Sequence, residues 1–288
     1  MAAPLARQAH DATNVLHSLI YFAPEAGQHF TAAGLEAGRM SYFAGRSAPM
    51  GAVGAGVVTA TFYNFSPDLV ASCIPRAWQL ARPETVIAAR FAAVDAALRR
   101  LLGPELLTSP DLVTLAGLVR EAARAGTPEG RPLYAGHADL PWPSGGSHLD
   151  LWHALSLLRE HRGDGHVAAL TAAGLSGLEA LVTHTATGQG FTPEFAQASR
   201  GWSAADWDGA VAALAARGLL DAAGELTAAG HEVRATVERE TDRMAAGPWR
   251  HLGDAATEQV IQLGRALSRA VVQAGAFPAD GVFARPRT

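Results

Sequence analysis

Fourteen residues from His153 to His166, HALSLLREHRGDGH, carry the densest set of reactive side chains in this 288-residue chain. On a helix turning about 100° per residue, Glu160 falls nearly under His153, while His161 is displaced by roughly 80°. These groups cannot all meet on one straight helix. Gly163 and Gly165 predict a break at which the chain folds back, bringing Arg162, Asp164 and His166 toward His153. Three histidines with a carboxylate suit zinc, iron or another borderline metal. An arginine beside a histidine instead suits a carboxylate or phosphate ligand, with the imidazole as acid or base. On this reading His153, Asp164 and His166 are catalytic candidates, and His161 and Arg162 are ligand-binding candidates. The competing reading is structural: Asp164 caps a helix starting near Gly165, Arg162 pairs with Glu160 or Asp164, and His153 is a hydrogen-bonded core residue. The spacing matches no metal motif such as HExxH, so the metal stays unknown.

A second constellation lies earlier in the chain. His17 and Tyr21 are four apart, hence on one helical face, and Tyr42 and Arg46 repeat the spacing. Asn64 follows within the aromatic run TFYNF, and Trp142 sits between Pro141 and Pro143. A buried face bearing His17, Tyr21, Arg46 and Asn64, with Trp142 at a rim, is polar enough to line a small-molecule pocket. The bland alternative is a set of amphipathic side chains, each with one satisfied tip.

Composition removes several chemistries. All 23 basic residues are arginine, so neither a Schiff-base lysine nor a phosphate-loop lysine exists. Cys73 is the one cysteine, which excludes an internal disulfide and a thiolate zinc site. A net charge of −4 gives no global pull toward nucleic acid or anionic membrane. With 49% hydrophobic and 17% charged residues, a sizeable core is available. The glycine-rich GAVGAG at 51–56 lacks the order and the strand that a dinucleotide loop requires. No run approaches the ~20 apolar residues of a membrane span. The first residues read as neither signal peptide nor anchor, and a cytoplasmic location is expected.

The elements that must position these side chains are helical. Apolar residues recur at three-to-four spacing in Asp11–Phe22, Glu84–Leu102, Asp111–Ala125 and Asp254–Val272. Ser66, Ser147 and Ser203 stand where helix N-caps belong, as does either Ser109 or Asp111. A Pro- and Gly-rich stretch at 126–147 suggests a linker between an N-terminal helical module (9–135) and a C-terminal module (147–275). A faint echo between Pro24–Arg46 and Pro193–Gly218 hints that the first module is a degenerate copy of the second.

The C-terminal half carries a recognisable order: helix, short loop, helix, Ala216-Arg217-Gly218-Leu219-Leu220, a turn at Asp221–Gly224, Leu226-Thr227-Ala228-Ala229-Gly230, long helix. Over roughly Ser176 to Ala245 it resembles a MarR-type winged helix. The whole chain, through YFAPEA, YFAGRSAPMG, LWHALSLLREHRGDGHVAAL and RGWSAADW, resembles an actinobacterial helix-turn-helix family of unassigned activity. The resemblance implies an almost all-α fold with one small β-wing, DNA as a partner, and a homodimer formed through the helices at 228–245 and 254–272. The residues themselves argue against groove binding. Ser203–Arg217 sets Asp206 and Asp208 against a single arginine, and the wing DAAGE is acidic, whereas phosphate contacts dominate duplex affinity.

Three functions follow as expectations, the third a plain dimerising protein whose helices at 228–245 and 254–272 form the interface. The first is a ligand-responsive regulator with a small molecule bound between the two modules. The second is an enzyme using His153, His161, Arg162, Asp164 and His166, with a metal or haem; the residues name no particular cofactor.

Overall fold

Among the described residues fifteen α-helices account for most of the structure, as the apolar periodicity predicts. The computed structural model describes residues 3–278. In order they are α1 (Ala3–Ser18), α2 (Pro24–Ala32), α3 (Arg39–Ser47), α4 (Ala55–Phe62), α5 (Pro67–Cys73), α6 (Arg76–Leu80) and α7 (Pro83–Leu107). There follow α8 (Pro110–Arg124), α9 (Pro132–Ala138), α10 (Ser147–Ala172) and α11 (Gly177–Thr185). The last are α12 (Pro193–Arg200), α13 (Ala204–Ala216), α14 (Ala228–Leu252) and α15 (Asp254–Gln273). No single described helix is long and apolar enough to cross a membrane.

Local chemistry fixes many of the boundaries. Ser109 accepts the Leu112 N–H at the start of α8. Ser176 and Ser203 form reciprocal capping boxes with Glu179 and Asp206. Proline occupies the first turn of α2, α7, α8, α9 and α12, where its missing N–H costs nothing.

The described residues form two units, the first of residues 3–53, 74–165 and 242–278, the second of 54–73 and 166–241. In the first, α1 lies along α15, and α7 packs on α2. Leu16, Leu19, Val94, Leu98, Leu115, Val119, Trp152, Leu155 and Val260 fill the space between them. Where α1 meets α15, a Cβ on Gly264 would stand 2.7 Å from Thr13 Cγ2, and Ser268 donates to the Ala12 carbonyl at 2.8 Å. In the second unit, α11 packs against α12 and α13, and α4 against α5. The Trp202 indole donates to the Asn64 carbonyl at 2.9 Å, and the Tyr63 hydroxyl donates to that of Leu175 at 2.5 Å.

The expected β-wing is not formed, and with it the winged-helix assignment falls. Among the described residues there is no strand. The segment between α13 and α14 makes a single antiparallel bridge, Leu220 to Leu226. Asp221 Oδ1 accepts the N–H groups of Ala223 and Glu225, and so closes the turn at once. Thr227 then takes the Gly230 N–H and starts α14. Residues 217–219 are spent closing α13 and residues 221–225 on the turn, so only Leu220 and Leu226 pair, fewer than the three residues a strand usually needs.

The predicted break at Gly163 and Gly165 is also absent, because both glycines lie inside α10. A Cβ on Gly165 would stand 2.9 Å from Arg131 Nη1 and 3.3 Å from Met244 Cβ, so close packing against neighbours explains this glycine without a bend.

Candidate functional site

Four elements of the first unit line a cavity of about 240 Å³. The turn after α1 supplies Ile20, Tyr21 and Phe22, helices α2 and α3 supply Phe30, Tyr42 and Arg46, and α7 supplies Arg90. One wall position is tight: a Cβ on Gly45 would meet the Phe30 ring at 2.8 Å, so the ring would have to shift.

The polar groups on this wall form two connected networks. In the first, Arg46 grips Glu160 with two parallel bonds, Nε to Oε1 at 3.0 Å and Nη2 to Oε2 at 2.6 Å, and Nη1 donates to the Tyr42 hydroxyl at 2.7 Å. Glu160 is fully buried. Burial alone would raise its carboxyl, but Arg46 more than offsets this and holds it well below the usual carboxylate range. Burial likewise opposes the charge on Arg46, and Glu160 restores it, so the guanidinium is held above its ordinary value.

In the second network direction can be assigned. Ser156 spends its hydroxyl hydrogen on the Trp152 carbonyl at 2.9 Å, so His17 Nδ1–H donates to Ser156 Oγ at 3.1 Å. His17 Nε2 then accepts from the Tyr21 hydroxyl at 3.0 Å. His17 is fully buried and stacks on Trp152 at 5.7 Å, and burial holds the ring well below its ordinary pKa, hence neutral. Burial pushes the Tyr21 phenol upward, so it stays protonated.

Arg90 completes the wall. It is 4% exposed, its Nη1 meets His137 Nε2 at 2.8 Å, and its guanidinium lies 4.8 Å from the Trp152 ring centre. His137 Nδ1 bonds the Leu133 carbonyl at 2.8 Å, which can only accept. The hydrogen therefore sits on Nδ1, and Nε2 accepts from Arg90. Burial, aided by Arg90, pushes His137 down to about 3. Arg90 Nη2 is buried without a hydrogen-bond partner.

The sequence-predicted residues divide. His17, Tyr21 and Arg46 stand together, the latter two on the cavity wall. His153 faces Trp142 and Phe91 edge-on, with ring centres at 4.9 and 5.7 Å, and its Nε2 is buried without a hydrogen-bond partner. Burial, then Arg90 and Arg120, push it down to about 4. His161 packs against the Tyr134 ring at 5.1 Å, and burial together with Arg131 lowers it to about 4. Arg162 pairs with Asp242 at 2.7 Å rather than with Glu160 or Asp164. Asp164 does cap a helix, but that helix is α9, through the Tyr134 N–H at 2.9 Å. Burial raises Asp164 to about 6 against that hydrogen bond. His166 and Asn64 belong to the second unit, where His166 bonds Thr241 at 2.9 Å. Among the described residues no three His, Cys, Asp or Glu side chains are placed to hold a metal ion.

Sequence reasoning missed Arg90 and His137. The signal was present for Arg90: an arginine falls among Val86, Ala93, Val94 and Ala97 on the buried stripe of α7. An arginine on an apolar stripe needs a buried partner or a ligand.

In the second unit, α12 and α13 are joined by Gly201-Trp202-Ser203, with Gly201 in the left-handed conformation at φ 74°. This short turn between two helices is helix-turn-helix geometry. Asp208 on α13 is exposed, and Arg217 donates to Glu179 at 2.9 Å. No curated protein and no solved structure was found to match the chain. Residues 6–278 match the model of a helix-turn-helix family, and the chain belongs to that family.

Proposed function

We propose that this chain is a small-molecule-binding member of its helix-turn-helix family, a regulator-like protein whose ligand occupies the cavity between α2, α3 and α7. The observation that carries this reading is the cavity itself: about 240 Å³ with two buried arginines on its wall. Protein interiors are close-packed, and buried charges rarely contribute to stability. A hole lined by charge is therefore better explained by an occupant than by packing.

Native mass spectrometry of protein incubated with a small-molecule extract tests it. The wild type should retain a stoichiometric adduct, and Ala26→Phe, which fills the cavity from α2, should not. Absence of an adduct in the wild type, or an equal adduct in Ala26→Phe, overturns the reading.

The regulator-like role rests on the family, and its duplex arm is separately testable. Residues 54–73 and 166–241 hold four arginines against ten carboxylates, a net charge of −6 that opposes phosphate contact. Anisotropy titrations against duplex DNA should give no more than the non-specific range of about 10⁻⁴–10⁻⁶ M. Arg217→Ala should leave that value unchanged, since its guanidinium is spent on Glu179. A salt-dependent affinity lost in Arg217→Ala would instead establish α13 as a DNA-contacting helix.

A further inference from the structure

The charges around the cavity narrow the ligand class. Arg46 is neutralised in place, because Glu160 takes two of its nitrogens and the Tyr42 hydroxyl takes the third. Arg90 shares the field of Glu160 but hydrogen-bonds no carboxylate of its own among the described residues. Its Nη1 goes to His137, whose Nδ1–H is fixed on the Leu133 carbonyl, so the ring serves only as a neutral acceptor. Its Nη2 has no hydrogen-bond partner, although the side chain is 4% exposed and lines the cavity. Two guanidiniums thus face one carboxylate, leaving one positive charge in excess on the wall. Arg159 adds to the same positive field at Glu160. An uncompensated buried cation is costly, and an anion placed against the guanidinium offsets that cost.

The remaining surfaces set the body of the ligand. Phe22, Phe30, Tyr42 and Ile20 are apolar or aromatic, which suits a flat hydrophobic group. A cavity of roughly 150 Å³ accommodates benzene. This one, at about 240 Å³, has room for one ring and a short acidic arm. The Tyr21 hydroxyl, whose hydrogen is committed to His17, turns its oxygen toward the Arg90 guanidinium on the same wall.

Resting on the ligand-binding reading above, we infer that the cavity takes a small aryl or similarly flat carboxylate, its monoanionic head held by the Arg90 guanidinium. His137 is a positioning residue that aims the guanidinium. The excess of a single positive charge favours a carboxylate over a phosphate monoester.

Calorimetric titration with phenylacetate, its neutral isostere phenylacetamide, and phenyl phosphate tests the inference on the wild type and on Arg90→Gln. Phenylacetate should bind the wild type at least about tenfold more tightly than the amide. Arg90→Gln should abolish that preference while leaving the affinity for the amide in place. Equal binding of acid and amide to the wild type overturns the anion assignment and leaves the ligand-binding reading standing. Tighter binding of phenyl phosphate than of phenylacetate overturns the carboxylate assignment. If none of the three binds at about 10 mM, well above a millimolar dissociation constant, the reading of the cavity as a ligand site falls with it. Should Arg90→Gln fail to fold, the comparison of acid and amide on the wild type still decides.

Discussion

Replacing Glu160 by glutamine removes one negative charge from a buried pair while keeping the shape of the side chain. Glu160 is fully buried, and its two bonds to Arg46 are 3.0 and 2.6 Å long. At an effective dielectric of about 20, two unit charges some 4 Å apart attract by about 4 kcal/mol. Breaking a buried pair by removing one partner costs about 3–5 kcal/mol, because the other charge is left uncompensated. Here the penalty falls on a wall that already carries Arg90, so Glu160→Gln should lose about 3–5 kcal/mol at pH 7. For a chain of this size that corresponds to a fall in Tm of about 6–20 °C. Urea denaturation, followed by far-ultraviolet circular dichroism and tryptophan fluorescence, measures it. The double variant Arg46→Met/Glu160→Met removes both charges and should cost less than Glu160→Gln alone. The sign of the pH dependence is fixed by the depressed Glu160 carboxyl. Its contribution is complete above the unfolded value of about 4.3 and is lost only as pH falls through the lower folded value. The loss in Glu160→Gln should therefore be the same at pH 7 and pH 5.5. A loss below about 1 kcal/mol, or a double variant worse than the sum of the singles, would refute the pairing as the organising contact of this wall.

Three further predictions rest on other contacts. His153, pushed down to about 4, is held neutral in the fold, so its share of stability is lost as pH falls from the unfolded value of about 6.5 toward 4. His153→Phe should match the wild type within about 1 kcal/mol at pH 7 and exceed it by about 2 kcal/mol at pH 5, and no gain at pH 5 would refute the buried neutral ring. Asp164, raised to about 6, works in the opposite sense: alone it makes stability rise as pH falls from 7 toward 4. Asp164→Asn keeps an acceptor for the Tyr134 N–H, so urea midpoints between pH 7 and 4.5 should fall more steeply than in the wild type, and an unchanged slope would count against the raised carboxyl. Gly264→Ala places a Cβ 2.7 Å from Thr13 Cγ2 and should lose about 1–3 kcal/mol by calorimetry, whereas an exposed helical glycine would gain up to about 1 kcal/mol.

Much of the local structure was legible in the sequence because it depends on near neighbours. The caps at Ser109 and Ser203 require only a side chain and an N–H three residues on. The pairs four apart, His17 with Tyr21 and Tyr42 with Arg46, meet at 3.0 and 2.7 Å because one helical turn brings them together. The absence of lysine and the acidic residues of α13 limited the chemistry before any fold was known. Where local rules failed, packing outweighed them. Two glycines in α10 each cost about 1 kcal/mol relative to alanine, which reads as a break, yet the helix continues through both. The turn at Asp221–Gly224 reads as a hairpin, yet the adjoining helices leave it a single bridge.

The site needed the tertiary structure. Glu160 and Arg46 are 114 residues apart, and Arg90 and His137 are 47 apart. Residue types specify what such groups can do once they meet, and chain spacing does not say which will meet. Glu160 was assigned by helical geometry to His153, two turns below it. In the fold its carboxylate goes to Arg46, because a buried charge takes the partner that can match it with two parallel bonds. The sequence by itself determined a helical chain without lysine chemistry and with polar pairs on its helix faces. Only the packing of α2, α3, α7 and α10 decided which guanidinium would be neutralised and which left facing a cavity, since that depends on the distances between side chains brought together from four separate helices.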